Sequence, residues 1–485
     1  MNMKRGIIIS VLALATLVTS CSWFEDFDDT NVNPGVTNKP IPSALLTKSE
    51  LWIGNLAGYG RDYYVTHGTI QALYCQYFAE TQYPEASLYA LPKISSSAYY
   101  SRILMDLQNI INLNTDDATK VEANKYGENV NQIAIAKILQ SYVFWFITDT
   151  WGDVPYATAL KGDLNVEFET QESIYKGIIQ TLTDAASSLQ TSGSPILGDV
   201  IYNGDVTKWK KLANSIRVLM ALRLSKRYPG ATEYAATELK AALNSGVIES
   251  NSDNFMIPYP GGSFKCNYWL MYDGRKDYGE SATMVSLLNG ISDPRQSVFG
   301  SSNVGVPYGR TRDYITNWTT SNPNWAYVLN PAYRAENSPV FIVTAAHVWL
   351  ARAEAAQLGW TAEVVNTCYE NGITASFNQW GLGNPSPGYL AGVALPGDNT
   401  GNLQNIWRQQ YIAFYPNGHH GWANWRRTGY PLLTPAPDAT NGGVIPRRFM
   451  YGDTEYSLNK SAVETAVARI SGGDTEKSRV WWDVQ

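Results

Sequence analysis

Two aspartates four positions apart, Asp149 and Asp153, come nearest in this chain to a general acid–base pair. Glycoside hydrolysis needs two carboxyls facing each other across a cleft, roughly 5 to 9.5 Å apart. Gly152 and Pro155 place these two where a helix stops, so they read as turn and capping groups. His419 and His420 are adjacent, and neighbouring residues of a helix or strand point apart, which argues against a shared metal ion. Asp26, Asp28 and Asn31 loosely suggest calcium ligands, but the glycine and terminal glutamate of an EF loop are missing. The sequence contains no H-E-x-x-H, G-x-S-x-G or P-loop pattern. The expectation is therefore no catalytic constellation, no metal and no cofactor.

Binding chemistry is better supplied. A sugar ring offers an apolar C–H face and a rim of hydroxyls, so its receptor needs a flat exposed aromatic beside amide, carboxylate or guanidinium groups. One such mixture is Trp269, Tyr272 and Arg275, with Tyr308, Arg310, Tyr314, Trp318 and Trp325 further along the same segment. A second is Tyr83 and Tyr89 around Pro84-Glu85, with Asp62 upstream. The candidate ligand contacts are thus Trp269, Tyr272, Arg275, Trp318, Trp325, Tyr83, Tyr89 and Asp62. The competing reading is that Trp269 and Trp325 pack beneath their own loops, because large aromatics are highly buried on average.

Composition agrees with a wet, half-apolar surface: 31 Tyr and 16 Trp outnumber 13 Phe, which gives the aromatic material polar handles. Charged residues make up 16% and the net charge is −6, too little basic charge for nucleic acid.

The chain opens with Lys4 and Arg5, an apolar run over 6–18, and Val18-Thr19-Ser20-Cys21. That is an export signal whose apolar core is too short to span a bilayer. Cys21 after small residues resembles the lipobox of bacterial lipoproteins, in which the cysteine is acylated and becomes the first mature residue. Each buried lipid methylene contributes about 0.8 kcal/mol, and several chains give lasting attachment. Residues 1–20 read as the signal, 21–42 as an acylated acidic tether, and 43–485 as a single body. With Cys21 assigned to lipid, Cys75, Cys266 and Cys368 remain, and their spacing names no disulfide pair.

The elements that must position these groups are helices. Apolar residues recur at three- and four-residue steps over 131–147 (Ile135, Ile138, Leu139, Tyr142, Val143, Phe146) and over 207–227, which Thr207 or Asp205 caps. Residues 340–358 and 362–377 predict a helix pair whose Leu350, Ala353 and Gly359-Trp360 look like a tetratricopeptide unit. Further helices are predicted near 68–78, 96–113, 172–189, 231–244 and 403–415. Gly/Pro/Asn-rich insertions cover 251–337, 381–400 and 431–448. Insertions that long are functional or carry small structure of their own.

Asp149-Thr150-Trp151-Gly152-Asp153-Val154-Pro155-Tyr156 is followed by Trp209-Lys210-Lys211-Leu212-Ala213-Asn214-Ser215-Ile216-Arg217, then by Leu350-Ala351-Arg352-Ala353-Glu354-Ala355-Ala356. Trp422-Ala423-Asn424-Trp425-Arg426-Arg427-Thr428-Gly429-Tyr430-Pro431, Ile445-Pro446-Arg447-Arg448 and Val480-Trp481-Trp482-Asp483 complete the series. Their order and spacing, with the lipobox, resemble the SusD/RagB-like nutrient-binding lipoproteins of Bacteroidetes, especially the branch ending in Trp-Arg-Arg-Thr-Gly-Tyr-Pro. The resemblance implies a mostly α fold of about four tetratricopeptide-like helix pairs with a loop-rich ligand-binding part. It also implies an outer-membrane lipoprotein facing the cell exterior, which binds a glycan without cleaving it and delivers it to a TonB-dependent, SusC-like transporter. The alternatives are a surface glycoside hydrolase, or a receptor for peptide or another nutrient. Physically, Trp425-Arg426-Arg427 reads as a packed tryptophan with guanidinium groups bound to loop carbonyls.

Overall fold

Amphipathic stripes at helical spacing bury themselves by packing helix on helix, and the computed structural model shows that outcome. It describes residues 39–60, 67–91, 93–162 and 166–484. Cys21, the signal, the Asp26/Asp28/Asn31 cluster and Asp62 lie outside those residues.

Consecutive helices Met105–Thr115, Asn129–Trp151, Gln171–Ser188, Val206–Arg223 and Tyr234–Asn244 pack each on the next. Ala345–Gln357, Val365–Gln379, Asn399–Phe414 and Gly418–Thr428 form a second series, and Ala345–Gln357 joins the two by packing on Val206–Arg223. The expected mostly helical, tetratricopeptide-like fold is present. Asn129–Trp151 is long and apolar enough to cross a membrane, but 83% of its most apolar window is buried inside the protein, so it is the core helix. Asp205 caps Val206–Arg223 by accepting from Thr207 N and Lys208 N, one of the two caps expected. Gly152 ends the core helix at φ 93°, and Trp151 behind it is fully buried.

Two sequence-based expectations are corrected. Val340–Val343 is a strand rather than the first turn of a helix, because it pairs antiparallel with Phe255–Ile257 and so closes the base of the long insertion. Gly418–Thr428 is a helix that apolar periodicity did not mark. Its first residue takes the place where a Cβ would lie 2.3 Å from Gly68 O, so glycine lets it cross His67–Tyr74 backbone to backbone. The 251–337 and 381–400 insertions carry small elements of their own, among them Ala282–Gly290, Arg312–Ser321 and Pro387–Gly392.

The family-like motifs meet in the core. Asp149, fully buried, accepts from Arg223 Nη1 (2.8 Å), Trp482 Nε1 (2.8 Å), His419 Nε2 (3.1 Å) and Tyr175 Oη. It is thus a hub rather than a turn residue, whereas Asp153 does act as a cap by accepting from Gln171 N at 2.8 Å. Arg426 Nη1 donates to the carbonyls of Asp149 (2.8 Å) and Arg447 (2.9 Å) and lies 3.6 Å from the Trp422 ring centroid, the guanidinium-to-carbonyl role expected. Arg427 instead grips the Glu354 carboxylate bidentately, at 2.5 and 2.8 Å, tying the Leu350–Ala356 motif to the Trp422–Pro431 motif. His419 and His420 are buried with ring centroids 5.0 Å apart, and Trp145 packs against both at 5.3 Å. Cys75, Cys266 and Cys368 are buried free thiols.

Candidate functional site

A second antiparallel ribbon pairs Phe78–Glu80 with Tyr278–Glu280, in the register Phe78↔Glu280, Ala79↔Gly279, Glu80↔Tyr278. Thr81 N donates to Asp277 O at 2.8 Å, so the same register runs past the strands. Carried two residues further it sets Tyr83 opposite Arg275. Two candidate segments almost two hundred residues apart in sequence thus converge on one site.

Tyr83 is 46% exposed. The Arg275 guanidinium carbon lies 5.1 Å from its ring centroid and that of Arg312 lies 4.9 Å from it. Arg275 Nε donates to Asp277 Oδ2 at 2.6 Å, and this bond raises the basicity of the guanidinium. Arg310 lies 3.8 Å from the Tyr314 ring centroid and donates to Asp438 Oδ2 at 3.0 Å. The same carboxylate oxygen accepts from Thr311 N at 2.9 Å, and Thr440 N donates to Leu88 O at 2.9 Å. The 431–448 segment therefore stitches the turn after Tyr83 to the start of Arg312–Ser321. The result is an exposed phenol ring beside two guanidinium groups, of which Arg275 commits its Nε–H to Asp277, a mixture suited to a ligand with an apolar face and many oxygens.

The other described candidates are packed into the fold to different degrees. Trp325 is buried against Tyr327, with ring centroids 4.2 Å apart, and Tyr89 is buried at φ 60° with its hydroxyl accepting from Ala436 N at 3.1 Å. Tyr272 is half-buried and structural: its hydroxyl donates to Tyr278 O (3.0 Å), accepts from Val328 N (2.7 Å), and its ring stacks on Tyr327. Trp269 is half-buried on the short helix Asn267–Leu270, with Lys265 Nζ 3.8 Å from its ring centroid. Trp318 is half-buried on Arg312–Ser321. Arg312 and Asp438 were not anticipated, because each lies in a different insertion from the groups it serves and carries no local signal. Among the described residues, no group of three or more His, Cys, Asp or Glu is arranged to hold a metal ion.

Two buried carboxyls sit under the site on the ribbon. Glu280 is fully buried and accepts from Gln296 Nε2 at 2.8 Å, while Glu80 accepts from Ser87 N at 2.7 Å and so holds the turn after Tyr83. Burial pushes each carboxyl up to about 8. A raised folded-state pKa means that the unfolded chain loses its proton near the ordinary value of 4.5 while the folded chain keeps it to about 8. Each glutamate therefore makes the fold less stable as pH rises across that window, by up to about 1.4 kcal/mol per pH unit, and the loss levels off above it. Glu280→Gln has no proton to release. Urea midpoints measured at pH 5 and pH 8 should fall less for this variant than for the unchanged protein, and equal falls would show that Glu280 is ionised in the fold.

Comparison with known proteins agrees with the family resemblance. The SusD-like family model, described as "Starch-binding associating with outer membrane", matches residues 37–452. A structure titled a chitin-binding protein is 27% identical with a TM-score of 0.74, covering 92% of this chain and 100% of its own. A chitin-binding SusD homolog from Flavobacterium johnsoniae is 24% identical with a TM-score of 0.78, over 91% and 99% of the two chains. A SusD-like protein from Bacteroides thetaiotaomicron is 24% identical with a TM-score of 0.77, over 92% and 99%. No curated protein matches the chain in sequence.

Proposed function

Because the chain belongs to the SusD-like family, we propose that it is a cell-surface lipoprotein that captures an oligosaccharide and hands it, uncleaved, to a TonB-dependent outer-membrane transporter. The lipid anchor is Cys21, and the body stands outside the cell. The family description, starch-binding and outer-membrane, supports the glycan and the location, and the 27% identical chitin-binding structure supports the glycan again.

The observation that carries the reading is the exposed Tyr83 ring beside Arg275 and Arg312, because it brings an aromatic group and hydroxyl-directed donors to one point. The hydrolase alternative loses its best carboxylate pair. Asp149 is fully buried in an ion network and Asp153 is committed to Gln171 N and Arg469 Nε, so neither faces a cleft.

A soluble form comprising residues 22–485 should bind chitohexaose or maltohexaose in calorimetric titration and leave it intact on chromatography after prolonged incubation. Shortened products would reverse the assignment to a non-catalytic receptor. Delivery is checked by detergent extraction of outer membranes, where a barrel transporter should co-purify and a lone monomer would count against hand-over.

A further inference from the structure

A groove of ≈ 830 Å³ opens between the helix Pro42–Ile53 and residues 259–270, on lining residues that share none with the Tyr83 cluster. Its walls combine Trp52, Tyr259 and Phe264 with Asn55, Asn267 and Lys265. Phe264 is 56% exposed, and the backbone turn that carries it is held by several hydrogen bonds. Gly261 and Phe264 exchange N–H···O=C bonds of 3.2 and 3.1 Å around a two-residue turn. Glu336 clamps that turn: its carbonyl accepts from Cys266 N at 2.7 Å, and its carboxylate accepts from Gly262 N at 3.2 Å and Lys265 Nζ at 2.9 Å. A large aromatic carried on a well-bonded turn with half its surface in water does little for folding and suits an apolar ligand face.

Polar groups complete the wall. Asn267 Nδ2 donates to Asn55 Oδ1 at 3.0 Å, which fixes both amides while using only part of their hydrogen-bonding capacity. Lys48 pairs with Asp106 at 2.6 Å and Lys265 with Glu336 at 2.9 Å, so each lysine in the groove already has a counter-charge. A mixture of exposed aromatic, amide and balanced charge fits a neutral, hydroxyl-rich ligand better than an anion.

We propose that this groove is a second subsite for a neutral oligosaccharide, with Phe264 as its stacking ring. The proposal rests on the glycan reading above. Leu270, which lines the groove, and Arg275, which flanks Tyr83, are five residues apart, so their backbones lie within about 18 Å of each other.

Chitohexaose and maltohexaose are titrated calorimetrically into residues 22–485, unchanged and as Phe264→Ala, Phe264→Trp and Tyr83→Ala. The hexasaccharide that binds the unchanged protein should bind Phe264→Ala about tenfold more weakly, the loss of one stacking ring, with thermal midpoint unaltered. Phe264→Trp should restore the affinity, which a merely structural role for the side chain would not. Equal affinity in Phe264→Ala and the unchanged protein, with Tyr83→Ala impaired, overturns the groove and leaves the receptor function standing. Binding of neither hexasaccharide overturns both. Hexagalacturonate bound more tightly than either neutral probe overturns the assignment of a neutral ligand.

Discussion

Replacing Asp149 with alanine should remove about 3–5 kcal/mol of stability, because it leaves Arg223 buried without its counter-ion. Burial alone would raise the carboxyl pKa of Asp149, but Arg223, His419 and Arg426 hold it below the ordinary carboxylate value. Both side chains of the Arg223 pair are almost wholly inaccessible, at 4% and 0%, so solvent screening does not soften the loss. The same substitution frees Trp482 Nε1, which donates to Asp149 at 2.8 Å, and with it the packing of the C-terminal segment on the core helix. Urea unfolding followed by tryptophan fluorescence measures the effect. The double variant Asp149→Asn/Arg223→Met removes both charges and should recover a large part of the loss. A single variant within 1 kcal/mol or so of the unchanged protein would mean that the network is a consequence of the fold and not one of its supports.

The second large effect concerns binding. Tyr83→Ala combined with Arg275→Ala should weaken oligosaccharide affinity between about 10- and 100-fold, since a lost aromatic contact and its flanking guanidinium together contribute about 1–3 kcal/mol. Tyr83 is 46% exposed and Arg275 is exposed, so the thermal midpoint should hardly move. Calorimetric titration beside a thermal melt separates the two quantities. An unchanged affinity would remove this cluster as the binding site, whatever the family does elsewhere. An affinity loss accompanied by a much lower melting point would show instead that the ribbon had unfolded.

Much of the helical scaffold was legible because its signals are local. The stripe Ile135, Ile138, Leu139, Tyr142 and Val143 marks a helix by spacing alone, and all five residues are fully buried in the Asn129–Trp151 helix. Gly418–Thr428 escaped that logic. Its buried face carries His419, His420, Asn424, Arg426 and Arg427, which are polar by type; Asp149 pairs with His419, the Asp149 carbonyl with Arg426 and Glu354 with Arg427, while both ring nitrogens of His420 are buried without a hydrogen-bond partner. Periodicity counts apolar residues, so a helix that buries ion pairs is invisible to it. Val340–Val343 failed for a related reason: four apolar residues suit strand or helix equally, and the partner strand Phe255–Ile257 decided between them.

The site divides along the same line. Tyr83 and Arg275 were recognised separately as aromatic and guanidinium groups in irregular segments, but only the fold, through the ribbon just before Tyr83 and just after Arg275, brings one beside the other. Trp325 and Tyr89 had the same chemical credentials and are buried, because exposure depends on what packs above a loop and not on its composition. Arg312 joins Tyr83 from a helix whose position the 431–448 segment sets through Asp438.

By itself the sequence determined much of the helical scaffold and the resemblance to the family, since both rest on neighbouring residues or on fixed spacing. The tertiary structure decided which polar groups are buried, which aromatics face water, and that Tyr83, Arg275 and Arg312 share one place. Those outcomes depend on contacts between segments hundreds of residues apart, and no local pattern encodes where such segments meet.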